Sequence, residues 1–323
     1  MIYRILVFLL VCLIIATALS FAASAGWPLD LLGQFQAQFV LAGLCLVVFF
    51  DFFKRYGAAL LALVCMSVAL WQMDILNGTR FAQSAEMPGT SLRVATANVF
   101  GNKNALDRLA DIHQENPFDL IVLTELPSSA LETLASRFTG LSQIAGRPEH
   151  AVVGQPSAVI LSRVPPQALQ IIAVNRNPAA ITQVRYCLQG QFNCLTAFAL
   201  HTPPPITHDY YLRQMAILNT LADRVASTSG PVLVAGDMNA VSWAPQMRNF
   251  QEKTQVKKVV CGTRWTPTWL IPVPGLGLEL DHMFIKGALT ASQCERGADL
   301  GSDHWPLYAD FQFETANARA SNF

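Results

Sequence analysis

The stretch PVLVAGDMN, residues 231–239, is an apolar run that ends in two polar side chains. Its aliphatic residues predict a buried β-strand, and Asp237 and Asn239 lie where that strand ends. A single Asp or Asn in this position is most often a turn residue, which stabilises the chain reversal after a strand. The same arrangement recurs along the chain, however, and the recurrence makes it informative.

Polar side chains of the same kind lie at the ends of five further predicted strands. They are Asn98 in RVATAN, Glu125 in DLIVLTE, His201 in LTAFALH, Asp281 in LELDHMFI, and the pair Asp303 and His304 in GSDHWPLYADF. Neighbouring side chains on a regular strand face opposite sides, so Asp303 and His304 can share a pocket only through a turn or a bulge. Because binding sites form where the ends of such elements converge, the sequence predicts one site at these strand ends.

The chemistry of this set of residues is specific. The set contains four carboxylates, two carboxamides and two imidazoles, and it contains no thiol. Hard oxygen ligands without thiolates favour Mg²⁺ or Mn²⁺ over zinc. Such a site suits phosphoryl transfer to water, because the cation neutralises phosphate charge while a base orients the water. The sequence therefore predicts a Mg²⁺- or Mn²⁺-dependent hydrolase.

Residues 92–314 alternate between predicted strands and amphipathic helices, which indicates one α/β domain. The strand-rich stretches between helices predict two β-sheets packed face to face, with the helices outside. Residues 75–91 lose the apolar character and gain Gly, Ser, Thr and Pro, so we interpret them as a linker. Residues 315–323 form a short tail. The formal net charge of the chain is zero, which gives no general attraction to nucleic acid.

The first 74 residues contain three long apolar runs with no polar stripe, which favours membrane-spanning helices over buried core helices. The runs predict transmembrane helices near residues 3–25, 35–53 and 56–74. The few basic residues that flank these runs belong in the cytoplasm by the positive-inside rule, so the α/β domain would lie on the extracytoplasmic side of the membrane. The small residues of FAASAG leave open that the first run is a cleaved signal peptide.

Four cysteines lie in the predicted extracytoplasmic domain, where an oxidising compartment would permit disulfides. Cys187 and Cys194 flank a predicted turn in YCLQGQFNC and could pair, which would leave Cys261 and Cys294 as a second pair. Four free buried thiols are an equally good interpretation of the same residues.

The order of the polar motifs, from the first Asn through TE, H, GDMN and LDH to GSDH, resembles the endonuclease/exonuclease/phosphatase superfamily, which includes deoxyribonuclease I. The resemblance extends over residues 92–313 and implies a four-layer α/β sandwich with two central sheets. With its apolar N-terminus, the chain is similar to bacterial membrane-anchored members, including the teicoplanin-resistance membrane proteins. Those proteins are associated with cell-wall lipid carriers, so the resemblance implies a lipid-linked phosphate or pyrophosphate substrate.

The resemblance also implies where the metal and the substrate would bind. Glu125 would be the principal metal ligand, with Asn98 and Asp303 near the metal or its waters. Trp243, in the AVSWAP segment after GDMN, is a candidate substrate contact, although core packing explains it equally well. Arg176 is a candidate phosphate ligand, although a surface role is commoner for a single Arg.

The same resemblance implies roles in catalysis for the remaining polar residues. Asp237 would position or deprotonate the attacking water, and Asn239 would help to hold the phosphate. His304 would contact the scissile phosphate, and Asp281 would fix the tautomer of that imidazole. His201 would stabilise the phosphate or protonate the leaving group.

Three functions are compatible with these features. The first is a phosphatase or phosphodiesterase that acts on a lipid-linked phosphate at the outer face of the inner membrane, with the lipid bilayer as its partner. The second is a membrane-anchored, metal-dependent endonuclease, for which the balanced charge offers no broad basic surface. The third is a non-catalytic binding module, against which the complete polar set argues. The sequence indicates no protein partner.

Overall fold

The computed structural model describes residues 1–73, 91–188, 193–262, 265–269 and 276–313. The predicted linker, apart from Ser91, and the predicted tail lie outside the described residues. The α-helices are, in chain order, α1 (Ile2–Ser20), α2 (Leu29–Gln34), α3 (Gln36–Phe52), α4 (Tyr56–Gln72), α5 (Lys103–Glu115), α6 (Leu134–Arg137), α7 (His208–Ser227) and α8 (Pro245–Thr254). The strands are β1 (Ser91–Asn98), β2 (Leu120–Thr124), β3 (Gln143–Ala145), β4 (Ala158–Ser162), β5 (Ala168–Val174), β6 (Asn177–Leu188), β7 (Asn193–His201), β8 (Val232–Asp237), β9 (Lys257–Lys258), β10 (Asp281–Lys286), β11 (Leu289–Arg296) and β12 (Leu307–Phe313).

The strands form two six-stranded sheets of mixed direction. The first has the order β11-β12-β1-β2-β4-β3, and the second has the order β5-β6-β7-β8-β10-β9. Each sheet contains one parallel pair, β1 with β2 and β7 with β8, among antiparallel neighbours. Parallel neighbours need a crossover connection, and α5 and α7 supply it. In each parallel pair, both strands therefore end at the edge of the sheet from which the loop leads into the crossover helix.

The strand residues alternate between two apolar environments, as a period of two requires. Leu92 and Val94 of β1 pack against the other sheet, whereas Ala95 and Ala97 pack beneath α5. On the second sheet, α7 and α8 cover the outer face through residues such as Leu221. The result is two packed sheets flanked by helices, which is the α/β sandwich expected from the sequence.

The N-terminal helices correct the prediction of three membrane-spanning helices. Of the described helices, α1, with 19 residues, is the one that is long and apolar enough to cross a membrane, and a signal sequence would have the same length and composition. The other two apolar helices, α3 and α4, have 17 residues each. At about 1.5 Å of rise per residue, each is roughly 26 Å long and falls short of a hydrocarbon core of about 30 Å.

The three apolar helices pack as a bundle in which α1 and α4 run in the same direction and α3 runs oppositely. At one end the ring of Tyr3 meets the edge of Phe50 at 6.4 Å, and the Arg55 guanidinium lies 5.3 Å from the centre of the Tyr3 ring. At the other end, the Ser20 hydroxyl and the Gln72 side-chain amide are hydrogen-bonded. The basic residues therefore gather at one end of the bundle.

Residues 26–38, called the collar below, join the bundle to the sandwich. The Gln38 side chain donates a hydrogen bond of 3.0 Å to the carbonyl of Leu276. The Trp27 ring packs 5.9 Å from the ring of the first residue of α7. Ala37 is buried in the same apolar cluster as α8. The bundle is thus fixed against the sandwich by direct contacts in addition to the chain itself.

Both disulfides considered from the sequence are formed. Cys187–Cys194 joins neighbouring residues of β6 and β7. Cys261–Cys294 joins the segment after β9 to β11, and so connects the two sheets. These bonds exclude four free thiols as the state of this structure.

Candidate active site

Two features bring the polar strand-end residues together: the register between neighbouring strands, and the alternation that places every second side chain of a strand on the same face. Asn98 lies on the same side of β1 as Leu92, which faces the gap between the sheets. In the second sheet, His201 pairs across β7 and β8 with Asp237, and Asp237 pairs across β8 and β10 with Asp281. These three side chains also face the gap, since they share parity with the inward residues of their strands. The site therefore lies at one end of the core between the sheets.

The first group of ligating side chains contains Glu125, His201 and Asp237, whose ligand atoms lie within 4.8 Å of one another. His201 Nε2 is 3.5 Å from Glu125 Oε1 and 3.6 Å from Asp237 Oδ2. Asn98 Nδ2 donates to both carboxylates, at 3.1 Å to Glu125 and 2.9 Å to Asp237. Glu125 follows β2 with a φ of 50°, a left-handed conformation that costs free energy for a residue with a Cβ. Such strain is typical of functional positions.

The second group contains Asp237, Asp281 and His304, again within 4.8 Å. His304 Nδ1 is 2.7 Å from Asp281 Oδ2, the length of a charge-assisted hydrogen bond, and its Nε2 is 3.8 Å from Asp237 Oδ2. All three side chains are buried. Asp237 belongs to both groups and is thus the centre of the site.

The electrostatics follow from burial and from these short distances. Burial raises the pKa of Asp237 to about 6, and the nearby Asp281 carboxylate adds to the increase. Burial alone would lower the pKa of His304, but the carboxylates of Asp281 and Asp237 outweigh it and raise that pKa to about 10. Burial alone would raise the pKa of Asp281, but the charge of His304 outweighs it and lowers that pKa. His304 is therefore an imidazolium at neutral pH.

Asn239 and His201 form a second edge of the site. Asn239 Nδ2 lies 3.3 Å from His201 Nε2 and donates to the carbonyl of Thr202 at 2.7 Å. His201 Nδ1 lies 3.0 Å from the carbonyl of Gln155, which can only accept, so Nδ1 carries a proton. His201 Nε2 is left facing the carboxylates of the first group. Asn239 has a φ of 45°, which marks a second left-handed residue beside Asp237.

Three candidates from the sequence occupy other positions. Asp303 lies outside both groups, and its Oδ2 accepts a hydrogen bond of 3.2 Å from Trp269 Nε1. Trp243 is 6% exposed and packs in the core beside α8, so its position supports packing rather than substrate contact. Arg176 is exposed in the turn between β5 and β6, at the same end of the second sheet as His201.

Two residues that sequence reasoning missed support the carboxylates of the site through hydrogen bonds. Thr268, fully buried, accepts hydrogen bonds at 3.1 Å from the amides of Leu280 and Asp281. Trp269 donates to Asp303, and its backbone forms bridges with Leu278 and with His304. Both lie in the irregular segment TPTW, which has no periodicity, and the only signal was an indole and a hydroxyl shortly before LDH.

The donor set fits a hard divalent cation. The Asn98 carboxamide donates through Nδ2 to Glu125 and Asp237. Beside Asp237 lies the carboxylate of Asp281, whose Oδ1 is buried without a hydrogen-bond partner. A cation would relieve the repulsion between these two buried carboxylates. Oxygen ligands in this number suit Mg²⁺ or Mn²⁺, with waters completing the coordination.

The sequence profile of the endonuclease/exonuclease/phosphatase family matches residues 95–304, which include every polar residue of the site. The chain belongs to this family of phosphoester hydrolases. Comparison with curated proteins returns no matching sequence.

Several solved structures share the fold at low identity. An endonuclease/exonuclease/phosphatase protein from Beutenbergia cavernae has a TM-score of 0.54 and 18% identity, over 70% of this chain and 72% of that chain. D. rerio TDP2 with a single-strand DNA product has a TM-score of 0.56 and 18% identity, over 69% of this chain and 99% of that chain. Beta toxin from Staphylococcus aureus with bound magnesium ions has a TM-score of 0.54 and 14% identity, over 70% and 100%. At these identities the comparisons establish the fold.

Proposed function

We propose that this protein is a membrane-anchored, Mg²⁺-dependent hydrolase of a lipid-linked phosphate or pyrophosphate. The observation that carries the chemistry is the pair of ligating groups that share Asp237 and include an imidazolium at His304. This arrangement provides a site for a cation and a fixed positive charge within one buried pocket. Both features stabilise the negative charge of a phosphoryl group under attack.

Glu125 would hold the cation together with Asp237, which the sequence-based ligand set did not include, and waters would complete the coordination. Asn98, whose Nδ2 donates to both carboxylates, would orient them. The family neighbour beta toxin binds magnesium ions, which supports the choice of Mg²⁺. When bound, the cation neutralises phosphate charge and orients the phosphoryl oxygens. The proposal differs from the sequence-based ligand set in Asp303, which is held by Trp269 and would act on waters beyond the first ligands.

The remaining side chains act on the substrate and on protons. Asp281 holds the imidazolium of His304 so that its Nε2 proton points to the phosphoryl oxygen. Asp237 orients the attacking water. His201 and Asn239 form the opposite edge, where His201 protonates the leaving oxygen and the Asn239 amide holds a phosphoryl oxygen.

The N-terminal bundle supports membrane anchoring with the catalytic domain outside the cytoplasm. The apolar side chains of α1, α3 and α4 are widely exposed, including Phe8 and Val48. Arg4, Lys54 and Arg55 gather at the bundle end away from the collar. With Arg4 in the cytoplasm, a single crossing by α1 would place the sandwich on the opposite side of the membrane. An alkaline phosphatase fused after residue 80 should be active, and an inactive fusion would contradict this topology.

The collar supports a lipid-linked substrate. It contacts the loop before Asp281, through Gln38 and Leu276, and the start of α7, which follows His201. The bundle is thereby attached to segments that carry catalytic residues, so the site is kept close to the bilayer. The motif resemblance to bacterial membrane-anchored members of the family supports the same substrate class.

The test is phosphate release by the full-length protein in detergent, with Mg²⁺ and undecaprenyl pyrophosphate. His304→Ala should remove activity and leave the fold intact, whereas Asp223→Ala, at an exposed ion pair on α7, should not change it. A plasmid-nicking assay run in parallel separates this function from an endonuclease. Nicking without phosphate release would replace the proposed function with a nuclease, and absence of Mg²⁺ binding by calorimetry would favour a non-catalytic module.

A further inference from the structure

Large exposed apolar side chains are unevenly distributed over the sandwich. Within the described residues from 91 to 313, there are seven such side chains: Phe100, Val153, Leu169, Ile206, Tyr210, Leu212 and Leu276. Six of them lie at the catalytic end of the molecule. Leu169 lies near the far end of β5, where it pairs with Val184.

Four of the six belong to loops that also carry or contact catalytic residues. Phe100, which is 53% exposed, follows Asn98 by two residues, and its amide is hydrogen-bonded to the Asn98 side chain. Val153 lies directly over Gly101 and precedes Gln155, whose carbonyl bonds His201.

The other loops approach from the second sheet. Ile206, which is 64% exposed, lies in the segment that leads from His201 to α7. Leu276, 40% exposed, precedes Asp281 and accepts the hydrogen bond from Gln38 of the collar. Tyr210 and Leu212 are exposed in the first turns of α7, on different faces of the helix.

Single exposed apolar residues are common on soluble proteins, but contiguous ones around a site indicate a partner. The partner favoured here is the bilayer, because the collar joins the loop of Leu276 and the start of α7 to an apolar bundle whose exposed side chains require lipid. The collar connects Leu276 directly to α3, and Trp27 packs against the beginning of α7, next to Tyr210.

We propose that Phe100, Val153, Ile206 and Leu276, called the rim below, contact the outer leaflet around the mouth of the active site. The phosphate of a membrane-embedded substrate would then reach His304 from the headgroup layer while its hydrocarbon part stays in the bilayer. This inference rests on the proposed lipid-linked substrate and adds the surface by which that substrate is reached.

The first experiment compares two substrates with full-length protein in lipid vesicles. Phe100→Ser/Ile206→Ser/Leu276→Ser should lower kcat/KM for undecaprenyl pyrophosphate in the bilayer at least tenfold. Hydrolysis of dissolved bis(4-nitrophenyl) phosphate should stay within twofold of the unchanged protein. The matched control Leu169→Ser should leave both activities unchanged. Retained activity on the bilayer substrate, or equal losses on both substrates, would overturn the proposal.

The second experiment needs no catalysis, so it separates failure of the rim from failure of the proposed function. With Cys12, Cys45 and Cys65 replaced by Ser, a fluorophore is attached at Ile206→Cys or at Leu169→Cys. Lipids that carry a nitroxide quencher near the headgroup should quench the fluorophore at 206 and leave the one at 169 bright. Equal emission at both positions would show that the rim does not reach the leaflet, whatever the substrate.

Discussion

Replacing Asp281 by Asn tests the electrostatic account of the site most directly. The change keeps the size of the side chain and an oxygen that can accept from His304 Nδ1. It removes the negative charge that lies 2.7 Å from this nitrogen in a buried pocket. Two consequences follow, one for the rate and one for its dependence on pH.

The effect on the rate can be derived from the burial of the pair. Weakening one group that stabilises charge in the transition state costs about 2.7–4 kcal/mol, and the oxygen kept by Asn places this change at the lower end. About 3 kcal/mol corresponds to roughly a 100-fold loss in kcat/KM, since each 1.36 kcal/mol is tenfold. The loss should appear mainly in kcat, because the imidazolium acts on charge that develops in the transition state.

The effect on pH dependence has a defined direction. Burial, which lowers the pKa of His304, remains, whereas the strongest influence that raises this pKa is lost with Asp281. The alkaline limb of the pH profile should therefore move to lower pH. Bis(4-nitrophenyl) phosphate hydrolysis in detergent with saturating Mg²⁺ would measure both effects, and Asp223→Asn on the surface of α7 provides the matched control. Activity within threefold of the unchanged protein, with an unmoved alkaline limb, would refute the reasoning.

Three further predictions concern the metal, the support of Asp303 and the stability of the protein. Glu125→Gln should weaken Mg²⁺ binding by roughly tenfold or more in calorimetry, because a charged oxygen ligand is lost. Trp269→Phe removes the indole donor to Asp303 and should lower kcat/KM about 10- to 100-fold with Mg²⁺ affinity nearly unchanged, as loss of a hydrogen bond to a charged group implies; unchanged kinetics would contradict this. In EDTA, the stability contributed by His304 is complete below pH 6.5 and is lost as the pH rises through about 10, because its folded pKa is raised. The Tm should therefore fall over this interval, and His304→Gln should flatten the curve.

The sequence was sufficient for the strand ends because their chemistry follows from strand periodicity. Asn98, His201 and Asp237 each share parity with inward-facing apolar residues, so the alternation that predicts a strand also predicts their direction. Periodicity did not predict that the strand ends of the two sheets come together at one site. It came from the resemblance in motif order, and the register across β7, β8 and β10 then explains it.

Other features depended on contacts that no local pattern encodes. Thr268 and Trp269 lie in an irregular loop, and their importance comes from bonds to residues 12 or more positions away. The helical segment after β2 divides into a 3₁₀ turn at Ser128–Thr133 and the four-residue α6. The apolar composition of the N-terminal runs was clear from the sequence. The lengths of the helices were not, because they depend on where the turns between the helices begin.

The collar has a practical consequence for protein production. Ala37 and Met73 cover an apolar surface that includes Met247 and Leu278. A truncated protein that begins at Ser91 would expose this surface to water and would be prone to aggregate. Because Ala37 lies in the first turn of the hydrophobic helix α3, removing the anchor also removes this cover. A shorter soluble version must therefore replace the cover, for example with polar substitutions on α8.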